Sequence, residues 1–230
     1  MKKDTKTKKT AVTLLTVMLI ALSCTALINA SVTNYLSNIT RVACVGDSIT
    51  QESEYPSKLQ KLLGTNYEVK NFGVSGSTVS VESKIPYVNQ PQFKWAVEYE
   101  PNLVFILLGT NDANPEIAYD VEDLDDDYSI IVNAFQQLPS KPQIILIKSP
   151  PIFTDNCSYN NTRLVTDVIP QIEYFAEQMN LTTIDLYGAL ENRVDCFSDG
   201  VHPNDNGSTI IASTIYNAIN DAREGKTSSK

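Results

Sequence analysis

The sequence predicts an α/β fold, a three-layer α/β/α sandwich built on a five-stranded parallel sheet. Three observations carry this expectation. Short apolar runs alternate with longer amphipathic ones along most of the chain. The run Leu103–Leu108 is six apolar residues bounded by Asn102 and Gly109, which suits a central strand buried on both faces. Glycine-containing polar loops follow the strands at their carboxyl ends, where open parallel sheets hold their ligands.

Taken in order, Arg41–Val45 reads as a strand running into Gly46. Tyr55–Leu63 reads as a helix with Leu59, Leu62 and Leu63 on one face and Gly64 past its end. Tyr67–Asn71 is the second strand and Leu103–Leu108 the third. Asp125–Leu138 is a helix whose acidic first turn complements its dipole. Ile144–Ile147 is the fourth strand, Thr162–Met179 a helix expected to kink at Pro170, and Thr182–Asp185 the fifth strand. Asn192–Asn206 is rich in turn residues, and Asp205–Ala222 closes the chain as a helix. Residues 31–230, with a core at about 40–222, are expected to form a single domain without repeats or internal linkers.

The chain has 230 residues, 42% hydrophobic and 20% charged, a globular composition. Its net charge is −9 although residues 1–30 carry Lys2, Lys3, Lys6, Lys8 and Lys9 against Asp4, so the body is more acidic still. An acidic body argues against nucleic acid as a partner, since phosphate binding needs clustered cations. The lysines lead into Ala11–Ile28, uncharged throughout, and then to small residues ending in Ala30. This is the pattern of a secretory signal peptide, or of an uncleaved signal anchor that would be the only membrane contact. Either places the body outside the cytosol, secreted or anchored.

Three cysteines lie beyond that segment. Cys44 sits inside the apolar run Val42–Val45 and reads as a core residue. Cys157 and Cys196 lie in polar, turn-rich stretches, where an oxidising compartment favours a disulfide and two free thiols are the alternative. With no C-x-x-C pair and no His/Cys cluster, no metal site is expected.

His202 is the only histidine, and Asp199 precedes it by three residues in Ser-Asp-Gly-Val-His-Pro-Asn. One loop can then carry a general base and the carboxylate that fixes its tautomer. A lone loop histidine is otherwise usually a solvated surface residue. Ser48 also has two readings. With Gln51 three residues on, it fits a helix capping box; on a tight strand-to-helix turn it also presents a hydroxyl and a backbone N–H to the same space. Gly-x-Ser-x-Gly is absent, which counts against a nucleophile elbow of the α/β-hydrolase type. Tyr87, Phe93 and Trp95 fall between the second and third strands as core residues or as candidates for lining a pocket.

Together GDSIT at 46–50, NFGVSGST at 71–78, GTND at 109–112 and DGVHP at 199–203 resemble, in order, the four blocks of the SGNH/GDSL hydrolases. The resemblance implies a flavodoxin-like hydrolase fold and a serine esterase requiring no cofactor. It assigns Ser48 as nucleophile, His202 as base and Asp199 as its orienting acid. The oxyanion hole would comprise the Ser48 N–H, the Gly76 N–H and the Asn111 amide, with Asp47 and Asp112 as braces of the turns holding Ser48 and Asn111. Arg41–Thr50, Lys84–Gln92 and Ser149–Phe153 are similar to a secreted subgroup associated with acyl-carbohydrate esterases, so a deacetylase of O-acetylated carbohydrate is expected. The alternatives are a lysophospholipase or thioesterase and a catalytically inactive carbohydrate-binding module.

Overall fold

The computed structural model describes residues 39–117, 123–154 and 158–224, with Met18 and Thr25 further upstream. The segment 1–30, where a signal peptide or anchor is expected, otherwise lies outside the described residues. Among the described residues no helix is long and apolar enough to cross a membrane. The chain divides into two units, Met1–Ile39 and Thr40–Lys230, and the second carries the whole sheet.

All five expected strands form: β1 (Thr40–Gly46), β2 (Tyr67–Gly73), β3 (Leu103–Leu107), β4 (Gln143–Lys148) and β5 (Thr182–Asp185). They pair in parallel in the order β2-β1-β3-β4-β5. Side chains alternate across the sheet with the strand period of two. Ala43, Val45, Val104, Ile106, Ile144 and Leu146 enter one apolar cluster. Val42, Cys44, Phe105, Leu107, Ile145 and Ile147 enter the other. Both faces of the central strands are therefore covered, which is why β1, β3 and β4 read as unbroken apolar runs.

Seven α-helices of five or more residues cover these faces among the described residues: α1 (Ser48–Glu52), α2 (Tyr55–Leu63), α3 (Pro91–Glu98), α4 (Leu124–Gln136), α5 (Ile169–Gln178), α6 (Leu186–Leu190) and α7 (Asp205–Arg223). α2 begins with Pro in its first turn and stops at Gly64, whose N–H bonds the Gln60 carbonyl. The Asn204 side chain accepts from the Asn206 and Gly207 N–H groups and starts α7. The kink expected at Pro170 is resolved differently. A π-helical turn, Leu164–Val168, precedes α5 and lets the Ile169 N–H reach back to the Leu164 carbonyl, so Pro170 falls in the first turn of a new helix. Helices α1, α3 and α6 were not expected as separate elements. They are short, and α3 buries only Ala96 fully, which leaves no periodic stripe to read.

The register sets the position of the site. Gly46 at the end of β1 pairs with Gly73 on one side and Leu107 on the other. Three strands thus end level, and the chain leaves them where the strand order reverses between β1 and β3, the switch point at which such sheets bind ligands.

Candidate active site

The Asp47 carboxylate caps α1: its Oδ1 accepts from the Ile49 N–H at 2.9 Å. The capping box expected around Ser48 is therefore not formed. Ser48 is the first residue of the helix rather than its cap, and Gln51 turns away to accept from the Ser75 N–H. The consequence is chemical. The Ser48 hydroxyl is not consumed by its own backbone and is free to meet a base.

That base is His202. Its Nε2 lies 3.0 Å from Ser48 Oγ, and its Nδ1 lies 2.7 Å from Asp199 Oδ2. Asp199 Oδ1 accepts from the His202 N–H at 2.8 Å and the Val201 N–H at 2.9 Å. Burial tends to raise the Asp199 pKa, but the His202 N–H, the His202 ring and the Val201 N–H outweigh it and hold the group at about 2. An ionised carboxylate only accepts, so Nδ1 carries the ring proton and Nε2 is bare toward the Ser48 hydroxyl.

The loop is held by backbone contacts. Gly200 has φ +85, and a Cβ there would lie 2.9 Å from the backbone of Phe153 and Thr154. The Phe153 N–H donates to the Gly200 carbonyl at 2.7 Å, and the Phe153 and Phe197 rings meet at 5.2 Å. These contacts tie the segment after β4 to the Asp199–His202 loop without the expected Cys157–Cys196 disulfide. Cys196 instead is a buried free thiol in the core beneath α7, and Cys157 lies outside the described residues. The turn-rich surroundings of Cys196 describe its backbone; its side chain points inward.

Gly76 and Asn111, the expected oxyanion donors, line one cleft. Gly76 adopts φ +76, which only glycine takes without strain, and the turn is closed by the Ser77 N–H on the Val74 carbonyl at 3.1 Å. Asn111 Nδ2 donates one hydrogen to the Ser77 carbonyl at 2.9 Å and retains a second for a ligand. Asp112 reaches further than the brace expected of it: its oxygens accept from the Val79 and Ser80 N–H groups at 3.1 and 2.9 Å, clamping the loop that carries Gly76. Asn71 of the second block secures α1, donating to the Thr50 carbonyl at 2.7 Å.

Asp47 and Asp112 are fully buried carboxyls. Burial raises Asp47 to about 7; the Ile49 N–H, His202 and the Thr110 hydroxyl pull the other way, and Asp112 adds to the rise. Burial likewise raises Asp112 to about 6 against the Ser80 and Val79 N–H groups.

A cleft of about 490 Å³ opens from these donors, lined by Gly76, Asn111, Ser83, Lys84, Glu116 and Tyr159 among others. None of the three aromatics proposed from sequence lines it. Tyr87 is in the core with its hydroxyl on the Phe72 carbonyl, Phe93 packs between Tyr87 and Phe135, and Trp95 is 54% exposed. A second, largely apolar cavity of about 430 Å³ lies at the opposite end of the strands, among their first residues Thr40, Leu103, Gln143 and Thr182. Sequence reasoning missed Tyr159 and also Arg163, whose guanidinium donates to the Asn114 and Ile117 carbonyls at 2.9 and 3.3 Å. Backbone acceptors carry no sequence signature that would have revealed it.

What the fold presents at this edge is the machinery of a serine hydrolase. Ser48 can attack an acyl carbonyl while His202 takes its proton, and His202 can then protonate the leaving oxygen. The chain belongs to the GDSL-like lipase/acylhydrolase family, whose profile matches residues 44–210. An acetylxylan esterase of Xylanibacter ruminicola is 33% identical over 78% of this chain and 43% of its own length. The chain spans about half the length of the curated relatives it matches. Among solved structures, a carbohydrate acetylesterase from Sinorhizobium meliloti superposes with TM-score 0.63 at 16% identity, covering 80% of this chain and 99% of that one. The lipase/acylhydrolase from Enterococcus faecalis superposes with TM-score 0.66 at 22% identity, covering 80% and 97%. These likenesses establish the fold.

Proposed function

We propose that this chain is an extracytoplasmic esterase that removes acetyl groups from O-acetylated carbohydrate through an acyl-enzyme on Ser48. The observation that carries the proposal is the cleft beside the oxyanion donors. Its lining includes Glu82, Ser83, Lys84, Asn114 and Glu116, with Ile85 and Ile117 as its aliphatic side chains. Polar groups of this density suit a hydroxylated alcohol and offer little to a long acyl chain. The acetylxylan esterase relative supports the same substrate class. The unbroken hydrogen-bond chain from Ser48 through His202 to Asp199 supports an enzyme over an inactive binding module. The lysines ahead of the uncharged run Ala11–Ile28 support export from the cytosol.

The test is an ester panel graded from acetyl to palmitoyl, together with acetate release from acetylated xylan. The proposal expects kcat/KM to be highest for acetyl and to fall steeply with acyl length. A maximum at long acyl chains would replace it with a lipid esterase. Fractionation of the native host that finds the protein in the cytosol would remove the location from the proposal.

A further inference from the structure

During acylation His202 Nε2 must hand its proton to the oxygen that leaves, so the alcohol half of the ester departs on the His202 side of the oxyanion hole. Tyr159 is a side chain in reach of that alcohol. It lines the same cleft as Gly76 and Asn111, and it is the only aromatic residue in that described lining. It is also close enough to the triad to feel the charge of Asp199. Its hydroxyl has a raised pKa because it is partly buried and because it feels the charges of Asp47, Asp199 and Glu52. Tyr159 therefore shares a cleft with Gly76 and Asn111 and lies within electrostatic reach of Asp199.

The ring is firmly seated. It packs against the core on the α4–α5 face of the sheet, leaving part of the side chain open to the cleft. The two residues that follow it are held by side-chain hydrogen bonds. Asn160 Oδ1 accepts from the Arg163 N–H at 3.0 Å, and Asn161 Oδ1 accepts from the Ile152 N–H at 2.9 Å. From the same turn, the Arg163 guanidinium binds the Asn114 and Ile117 carbonyls. Asn114 and Ile117 also line the cleft. The turn that follows Tyr159 thus also holds the Asn114–Ile117 wall of the cleft.

We propose that Tyr159 is a specificity-determining contact for the alcohol half of the ester: its ring packs on the sugar that carries the acetyl group, and its hydroxyl bonds one of that sugar's hydroxyls. This rests on the carbohydrate-ester reading above. An aromatic ring offers a flat apolar face for the C–H face of a pyranose together with a polar tip for its hydroxyls, a combination no other described lining residue supplies.

The experiment compares the full chain with Tyr159→Ala and Tyr159→Phe on two acetyl esters, an acetylated xylo-oligosaccharide and methyl acetate. They share the acyl group and differ only in the alcohol. Tyr159→Ala is expected to lower kcat/KM on the oligosaccharide by about tenfold or more, chiefly through KM, with methyl acetate changed by no more than about twofold. Tyr159→Phe, which keeps the ring, is expected to fall between. Equal losses on both esters, or no loss on the oligosaccharide, would overturn the role of Tyr159 and leave the carbohydrate reading standing. A wild-type enzyme that cleaves methyl acetate but not the oligosaccharide would overturn the carbohydrate reading, and the Tyr159 role with it.

Discussion

His202 Nε2 sits 3.0 Å from Ser48 Oγ although 154 positions separate the two residues in the chain. The approach follows from the topology. Ser48 starts the helix that leaves β1, and the loop bearing His202 returns to the same sheet edge under backbone tethers from Phe153. The helix cap is supplied by Asp47, which leaves the Ser48 hydroxyl to the imidazole alone.

Ser48→Ala is expected to fold and to lose esterase activity by about 10⁴-fold or more, because base and oxyanion hole remain but no nucleophile does. Fluorophosphonate labelling of the variant at the wild-type level would show that another residue is attacked.

Asn111→Ala removes one oxyanion donor and is expected to lower kcat by roughly 10²–10³-fold with a smaller effect on KM. Because Asn111 also donates to the Ser77 carbonyl at 2.9 Å, a stability loss of about 0.5–1.5 kcal/mol should accompany it. Stability loss with an unchanged kcat would make Asn111 a turn residue only.

The strands were legible in the sequence because burial on both faces writes itself as apolar runs. Thr182–Asp185 and the helix Tyr55–Leu63 fall where the sequence places them. The triad was legible because each block is local: Asp199 and His202 share one loop, and Ser48 follows directly from a strand end. What was not legible depends on distant backbone. Asp112 braces Val79 and Ser80, and Arg163 binds the Asn114 and Ile117 carbonyls; neither pairing leaves a trace in residue type. Ser48 was misread as a possible cap because the sequence cannot say which of two adjacent capping residues, Asp47 or Ser48, faces the free N–H groups. Cys196 was misread because turn residues around a cysteine say nothing about the inward face of the turn.

Gly200→Ala should test how rigidly the base is held. The added Cβ meets the Phe153 and Thr154 backbone at 2.9 Å and must sit at φ +85, so the loop has to shift. Left-handed backbone alone costs a non-glycine residue about 1–2 kcal/mol. The expected result is a lower melting temperature and a kcat reduced at least tenfold, since His202 moves with the loop. A variant with wild-type kcat would show that the loop tolerates displacement.

Burial of Asp47 makes the stability of the fold depend on pH. Burial raises its pKa from 3.8 to about 7. Between those values the folded chain keeps a proton that the unfolded chain has released. The contribution of Asp47 to stability is then fully present below about pH 3.8 and is lost as pH rises through about 7. Asp112, raised from 3.8 to about 6, acts in the same direction over a narrower window. Asp199 acts oppositely: held at about 2, it contributes stability above pH 3.8 that is lost as pH falls toward 2. Asp47→Asn separates these effects. The amide keeps an oxygen for the Ile49 N–H and adds a donor where Asp47 Oδ2, buried and without a hydrogen-bond partner, now stands. It cannot ionise. Thermal unfolding from pH 4 to 8 should therefore show a wild-type stability that falls more steeply with rising pH than that of Asp47→Asn, with the variant at least as stable at pH 8. The residual slope in the variant should include that of Asp112, with Asp125 and Asp127 acting in the same direction, and should shrink again in Asp47→Asn/Asp112→Asn. Parallel curves for wild type and Asp47→Asn would mean that Asp47 ionises in the folded protein as an ordinary carboxylate does, and that its burial carries no penalty for charge.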